Sequence, residues 1–252
     1  MCRVPIRNHE AETVTCKRVD THITPLSRNL TDFNKYRRTR QVNGLNCVGH
    51  IQVNKTKIQF AQDAVTNFRG DAIVNAANET CLGGSGVDGR ITEMGGTSLR
   101  RARENLPVLF ENENSVRCST GDAKITKFDN SGTELKCKYV IHAVGPDLGK
   151  QEGPPFDLKL LEDAYKAALT CAQKQNLETI AFCILSAGIF RGDCPLEEII
   201  RTGLNVIADN VTCKNLREVF FCAYKDDEKT SMNKIIKEIW RPPSNVDAVY
   251  DY

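Results

Sequence analysis

A chain of 252 residues with 40% hydrophobic content has room for one large domain or two small ones, and one domain with an extension fits its patterning best. Its 34 Lys and Arg against 32 Asp and Glu leave a net charge of +2, which gives no electrostatic case for nucleic-acid or membrane binding. No run approaches the ~18 apolar residues of a membrane span, and residues 1–15 lack the apolar centre of a secretory signal, so an intracellular protein, cytoplasmic or nuclear, is expected.

Eleven cysteines are an odd number, scattered without a C-x-x-C pair, so they read as buried reduced thiols. The absence of Cys/His spacing offers no zinc site. Residues 1–52 carry nine Lys or Arg against four Asp or Glu, three of the four histidines and no sustained periodicity. They are expected to form a basic, irregular or loosely docked extension ahead of a domain over 53–242, with a tail at 243–252. Lys35-Tyr36-Arg37-Arg38-Thr39-Arg40 is the most basic run, a solvated or packed arm in its simplest reading.

Regular structure is predicted from residue 57, where alternation over 57–61 suits a strand with Asp63 in its exit loop. Residues 72–76 form a short apolar run with two β-branched residues, read as a strand covered on both faces. Asn75 interrupts it and Asn78 follows it. A buried amide left unpaired costs about 1–3 kcal/mol, so both asparagines either hold the following loop or present donors to a ligand. The loop Gly83-Gly84-Ser85-Gly86-Val87-Asp88-Gly89 then leads into a helix first turn. Backbone N–H groups there would cradle phosphate, and Asp88 would complement the helix dipole or cap free N–H groups.

Further along, 91–105 reads as helix ended by Pro107, 115–118 as a strand, and 139–144 as a buried strand holding His142, a core histidine in the simplest reading. A helix over 158–173, a strand over 179–185, a helix over 195–207, a strand over 218–224 and a last helix over 232–240 complete the pattern. Strands alternating with helices imply an α/β three-layer sandwich with a ligand crevice at the strand ends. Gly84-Ser85-Gly86-Val87-Asp88-Gly89 also satisfies G-x-G-x-x-G, the dinucleotide fingerprint. The context argues against a Rossmann domain, because residues 77–82 separate the strand from the glycines and no strand ending in an acidic residue appears about 20 residues on.

Four stretches in order resemble the macrodomain family, and specifically its MacroD-type branch of ADP-ribosyl hydrolases. They are Asp71-Ala72-Ile73-Val74-Asn75-Ala76-Ala77-Asn78 with its Gly-Val-Asp-Gly, Cys118-Ser119-Thr120-Gly121-Asp122-Ala123, Tyr139-Val140-Ile141-His142-Ala143-Val144-Gly145-Pro146, and Ser186-Ala187-Gly188-Ile189-Phe190. The resemblance spans roughly 57–240. It implies an α/β/α sandwich with a mixed central sheet, and hydrolysis of mono-ADP-ribose esters on Asp or Glu side chains, or of O-acetyl-ADP-ribose, without cofactor or metal. A non-catalytic reader of ADP-ribosylated proteins is the alternative, and a monomer is expected.

Carried over residue by residue, the resemblance puts Asp63 and Ala64 at adenine. The diphosphate falls between Gly84, Ser85, Gly86 and Val87 on one side and Ser186, Ala187 and Gly188 on the other, with Ile189 beside them and Phe190 against a sugar. Asn75, Asn78 and Asp88 surround the distal ribose, Asn78 and Asp88 as the catalytic pair, and Tyr224 is the candidate adenine cover. Ser85 replaces a customary glycine, Thr92 stands where histidine is frequent, and the loop 190–195 is two residues longer than the usual Phe-Gly-Tyr-Pro.

Overall fold

The computed structural model describes residues 33–110, 115–211 and 215–239. In chain order its elements are β1 (Phe33–Val42), β2 (Leu45–Val53), β3 (Thr56–Ala61), β4 (Arg69–Ala76), α1 (Gly86–Glu104), β5 (Ala123–Lys127), β6 (Lys136–Ala143), α2 (Lys159–Lys174), β7 (Thr179–Cys183), α3 (Leu196–Asn210), β8 (Glu218–Cys222) and α4 (Asp226–Ile239). The eight strands form one sheet ordered β1-β2-β3-β8-β7-β4-β6-β5. Its five central strands are parallel, while β2 and β5 run antiparallel on either side of them and β1 pairs antiparallel with β2, so the sheet is mixed.

The strand order also fixes the layers. The connection through α1 moves from β4 outward to β6, whereas α2 and α3 carry the chain back through β7 to β8. Right-handed crossovers running in opposite directions put their helices on opposite faces. Accordingly α1 packs on β4 and β5, and α2, α3 and α4 pack side by side on the other face. The core between these layers includes Phe60, Phe68, Phe182, Phe220 and Phe221, all fully buried, each contributing about 1.5–3 kcal/mol by leaving water. Tyr165 reaches it from α2, and its hydroxyl accepts the Leu185 N–H at 3.0 Å.

The structure corrects the expectation of an irregular segment for residues 33–52. They form the hairpin β1–β2, which continues the sheet beyond β3, and the expected boundary at 53 falls on the last residue of β2. Leu45, Cys47, Gly49, Ile51 and Val53 alternate inward, but the small Gly49 and Cys47 weaken the apolar signal. The informative pair is Asn43-Gly44, with φ of +48° and +81°, the backbone of a tight two-residue hairpin turn. Residues 1–32 and the expected tail at 243–252 lie outside the described residues.

Three smaller differences follow from local chemistry. Residues 115–118 make a single bridge, Phe110 to Val116, in place of a strand, and the unexpected edge strand is β5. Helix α4 begins at Asp226 rather than 232, because Glu228 accepts the N–H groups of Tyr224 and Lys225 and so closes a polar start that has no apolar periodicity. Helix α1 breaks at Gly96, where φ +59° and ψ −153° leave the helical region. Among the described residues eight cysteines are free thiols, seven of them buried. No described helix is long and apolar enough to cross a membrane.

Candidate active site

The carboxyl ends of β3, β4, β6, β7 and β8 open into a cleft of about 910 Å³. This is where a parallel sheet leaves backbone groups and loop residues free to meet a ligand. At one end, Asp63 follows β3 and is held by four donors. Asn46 gives its N–H at 3.1 Å and its amide at 2.8 Å to Oδ2, while the Ala64 N–H and the Asn67 amide reach Oδ1 at 2.8 and 2.7 Å. Tyr224, just past β8, lies on the rim and is 63% exposed.

The long wall is the loop from β4 into α1. Gly83 has φ +115° and Gly86 φ +61°, values that disfavour side chains, and Gly84, Ser85 and Gly86 are exposed to the cleft. Ser85 caps α1 without a side-chain hydrogen bond, so the cap hydroxyl leaves the first-turn N–H groups open to an anion. Asn78 ties this loop together: its Nδ2 donates to the Gly83 carbonyl at 3.0 Å and its Oδ1 accepts from Thr80 N and Oγ1. One of the two amide protons remains for a ligand.

Asp88 stands in the first turn of α1, with Oδ1 accepting the Asn75 amide at 2.8 Å and lying 3.0 Å from Arg103 Nη2. That contact is an ion pair off the line of a hydrogen bond, since Arg103 Nε and Nη2 have no hydrogen-bond partner among the described residues. Arg103 Nη1 donates to Thr92 Oγ1 at 2.7 Å, and Thr92 in turn donates to the Asp88 carbonyl. Burial lowers the Arg103 guanidinium below its usual range, with the Asp88 carboxylate acting against that. Asp88 Oδ2 has no protein partner among the described residues, and a Cβ on Gly84 would lie 3.2 Å from it. The carboxylate therefore has one oxygen bonded and the other buried and unpartnered beneath Gly84, just behind the cleft wall.

Beneath Asp88 the second Asn75 proton points to His142 Nδ1 at 3.3 Å, and His142 Nε2 lies 3.0 Å from Thr126 Oγ1. The ring is completely buried, and desolvation, reinforced by Arg103, lowers its pKa well below the usual range. A neutral imidazole with its proton on Nε2 satisfies both contacts.

The opposite wall follows β7. Ser186 adopts φ +54°, and its hydroxyl donates to the Pro146 carbonyl at 2.8 Å. Gly145 has to be glycine, because a Cβ there would sit 2.3 Å from Ser186 Oγ. Beyond Ala187 and Gly188, Ile189 is 83% exposed at the cleft mouth and Phe190 is half-buried. The longer loop 190–195 is accommodated against the turn 148–150, where Gly192, at φ +53°, packs so closely that a Cβ would meet Gly149 Cα at 2.4 Å.

A macro domain family profile matches residues 74–202. The chain belongs to the macrodomain family. The O-acetyl-ADP-ribose deacetylase of Salmonella gallinarum is 33% identical over 177 residues, which cover 70% of this chain and 90% of that protein. The ADP-ribose glycohydrolase MACROD2 of Xenopus laevis is 37% identical over 180 residues, 69% of this chain and 39% of that longer protein. Among solved structures, the Trypanosoma brucei macrodomain in complex with ADP-ribose superposes with a TM-score of 0.56 at 31% identity, over 71% of this chain and 68% of that one.

In this macrodomain the cleft is lined by Asp63, Ala64, Asn78, Gly84, Ser85, Gly86, Val87, Asp88, Ser186, Ala187, Gly188, Ile189, Phe190 and Tyr224. Asn75 is the sequence-predicted residue that does not line it. Completely buried, it uses its amide on Asp88 and His142, so its place is beneath the site rather than against a ligand. The Ser186 hydroxyl is likewise committed to Pro146, leaving backbone groups as the donors on that wall. Arg191 is not among the lining residues, whereas Arg90 and Lys225 are. Sequence reasoning missed Asn46 and Arg103, which act on cleft residues from 17 and 15 positions away.

Proposed function

We propose that this macrodomain binds ADP-ribose and hydrolyses mono-ADP-ribose esters on aspartate or glutamate side chains of proteins, and O-acetyl-ADP-ribose. The observation that carries the reading is Asp88. It is a buried carboxylate held by Asn75 and Arg103 with one oxygen buried and unpartnered behind the Gly84 wall of the cleft, beside the open N–H groups that begin α1. The identities to a glycohydrolase and a deacetylase of ADP-ribose compounds support the same chemistry.

In this reading Asp63, Ala64 and Tyr224 receive the adenine, and the two loops hold the diphosphate by backbone N–H groups. Asn78 meets the distal ribose with its free amide proton. Asp88 Oδ2 orients a water and takes its proton as that water attacks the ester carbon. The ribose oxygen leaves and is protonated, giving the free carboxylic acid and ADP-ribose. A placed general base contributes typically about 10²–10⁴-fold, and fixing the water contributes separately. No step calls on a metal or cofactor.

A reader that binds ADP-ribosylated proteins without cleaving them is the second reading, favoured by the longer loop 190–195, which packs against the turn 148–150. The experiment is incubation with a protein mono-ADP-ribosylated on glutamate, following released ADP-ribose. Release proportional to enzyme supports the hydrolase. Binding without release at high enzyme concentration leaves the reader.

A further inference from the structure

Arg103 heads the largest fully buried side chains of this protein, at 1% exposure. Removing a guanidinium from water is unfavourable unless a partner offsets it. Its charged partner is Asp88, at 3.0 Å. Fifteen positions separate the two, a distance of about 22 Å along a straight helix and too far for an arginine to reach back. The contact exists because α1 breaks at Gly96, whose φ and ψ lie outside the range of other residues, so that the second half of the helix returns Arg103 to the first turn. The guanidinium comes to rest beneath the glycine loop: a Cβ on Gly83 would lie 3.5 Å from Nη1 and 3.0 Å from Thr92 Oγ1.

The reading that the cleft binds ADP-ribose raises an electrostatic difficulty that this arrangement answers. A diphosphate held at the start of α1 approaches the Asp88 carboxylate, and two anions in a partly desolvated site repel strongly. We propose that Arg103 is a positioning residue that lets one site hold both: it balances the Asp88 charge from below at Oδ1, so that the charged carboxylate, with Oδ2 unpartnered beneath Gly84, is tolerated beside an anionic ligand. Arg103 touches no ligand itself. Its effect passes through Asp88, and removing the Asp88 charge therefore removes the need for it.

That dependence separates positioning from a merely structural role. The test is a cycle of Arg103→Met, Asp88→Asn and the double variant, with Arg103→Lys as the conservative change, each folded protein titrated with ADP-ribose by calorimetry. Arg103→Met is expected to bind at least tenfold more weakly than wild type, the double variant to return to within about threefold of it, and Arg103→Lys to stay near wild type. A double variant as weak as Arg103→Met, or an Arg103→Met that binds normally, overturns the proposal. If Arg103→Met does not fold, the comparison of Asp88→Asn with the double variant decides. The uncompensated cation should make Asp88→Asn at least threefold tighter, and equal affinities overturn the proposal. Every arm reads binding, so a wild type that binds ADP-ribose but hydrolyses nothing overturns the hydrolase reading alone, whereas one that does not bind overturns both.

Discussion

Asn46, on the second strand of the edge hairpin, gives both its backbone N–H and its side-chain amide to one oxygen of Asp63 in the cleft lining. The Ala64 N–H and the Asn67 amide donate to the other oxygen, so the carboxylate is held in place from both sides. The hairpin is therefore part of the site, not an appendage. In Asn46→Ala the loop 62–67 loses its anchor to β2. A hydrogen bond to a half-buried carboxylate contributes on the order of 1 kcal/mol after solvent screening, so ADP-ribose affinity should fall about 3- to 10-fold. Turnover at saturating substrate should be unchanged, because Asp88 is at the other end. Calorimetry beside single-turnover hydrolysis checks both, and unchanged affinity would separate the hairpin from base binding.

Gly84 offers a second check from its position over Asp88. An alanine methyl there would lie 3.2 Å from Asp88 Oδ2 and 3.4 Å from Asn78 Nδ2, tighter than side chains comfortably pack. Gly84→Ala should cost at least tenfold in turnover while shifting the thermal midpoint little, since the residue itself is exposed and the methyl presses on the Asp88 and Asn78 side chains. Normal turnover in this variant would place the reacting atoms elsewhere.

Tyr224 tests the proposed adenine contact from the rim. It is exposed, and aromatic stacking contributes about 0.5–1.5 kcal/mol. Tyr224→Ala should weaken ADP-ribose about 2- to 10-fold, and Tyr224→Phe should keep wild-type affinity. Equal losses in both variants would point to the hydroxyl instead of the ring.

His142 makes the stability depend on pH in a known direction. Its folded-state pKa is lowered by burial, so below about 6.5 the unfolded chain takes up a proton that the folded chain refuses. This group leaves stability unaffected above that pH and removes up to about 1.4 kcal/mol per pH unit below it, until its own folded pKa is reached. Urea unfolding at pH 8 and pH 5 should show a steeper loss for wild type than for His142→Gln. Parallel losses would mean that the ring is charged in the fold.

Much of this was legible in the chain because the central motifs carry their own geometry. The short β-branched run before Asn75, the glycines after Asn78 and Ser186-Ala187-Gly188 at the end of β7 each announce a strand exit, and parallel strand exits converge in a sheet. The helices over 159–174 and 196–210 show plain apolar stripes. What stayed hidden depended on partners distant in sequence. An inward amide such as Asn75 looks the same whether it meets a ligand or holds Asp88 and His142. Arg103 reads as one more solvent-facing base in Arg100-Arg101-Ala102-Arg103, and only the break at Gly96 turns it inward. The hairpin was obscured by its charged outer face, although Asn43-Gly44 carried the signal.

The account turns on Asp88, and one comparison tests it most directly. The carboxylate has as its partners Asn75 and Arg103, not the first-turn N–H groups that a helix cap would serve. Wild type and Asp88→Asn, checked for folding by circular dichroism, are each mixed in excess with a protein mono-ADP-ribosylated on glutamate, and ADP-ribose release is followed through a single turnover. The expected result is release by wild type and a rate at least about 100-fold lower in Asp88→Asn, the loss of a placed acid–base group, with ADP-ribose binding retained. A folded Asp88→Asn that releases ADP-ribose at near the wild-type rate would contradict it.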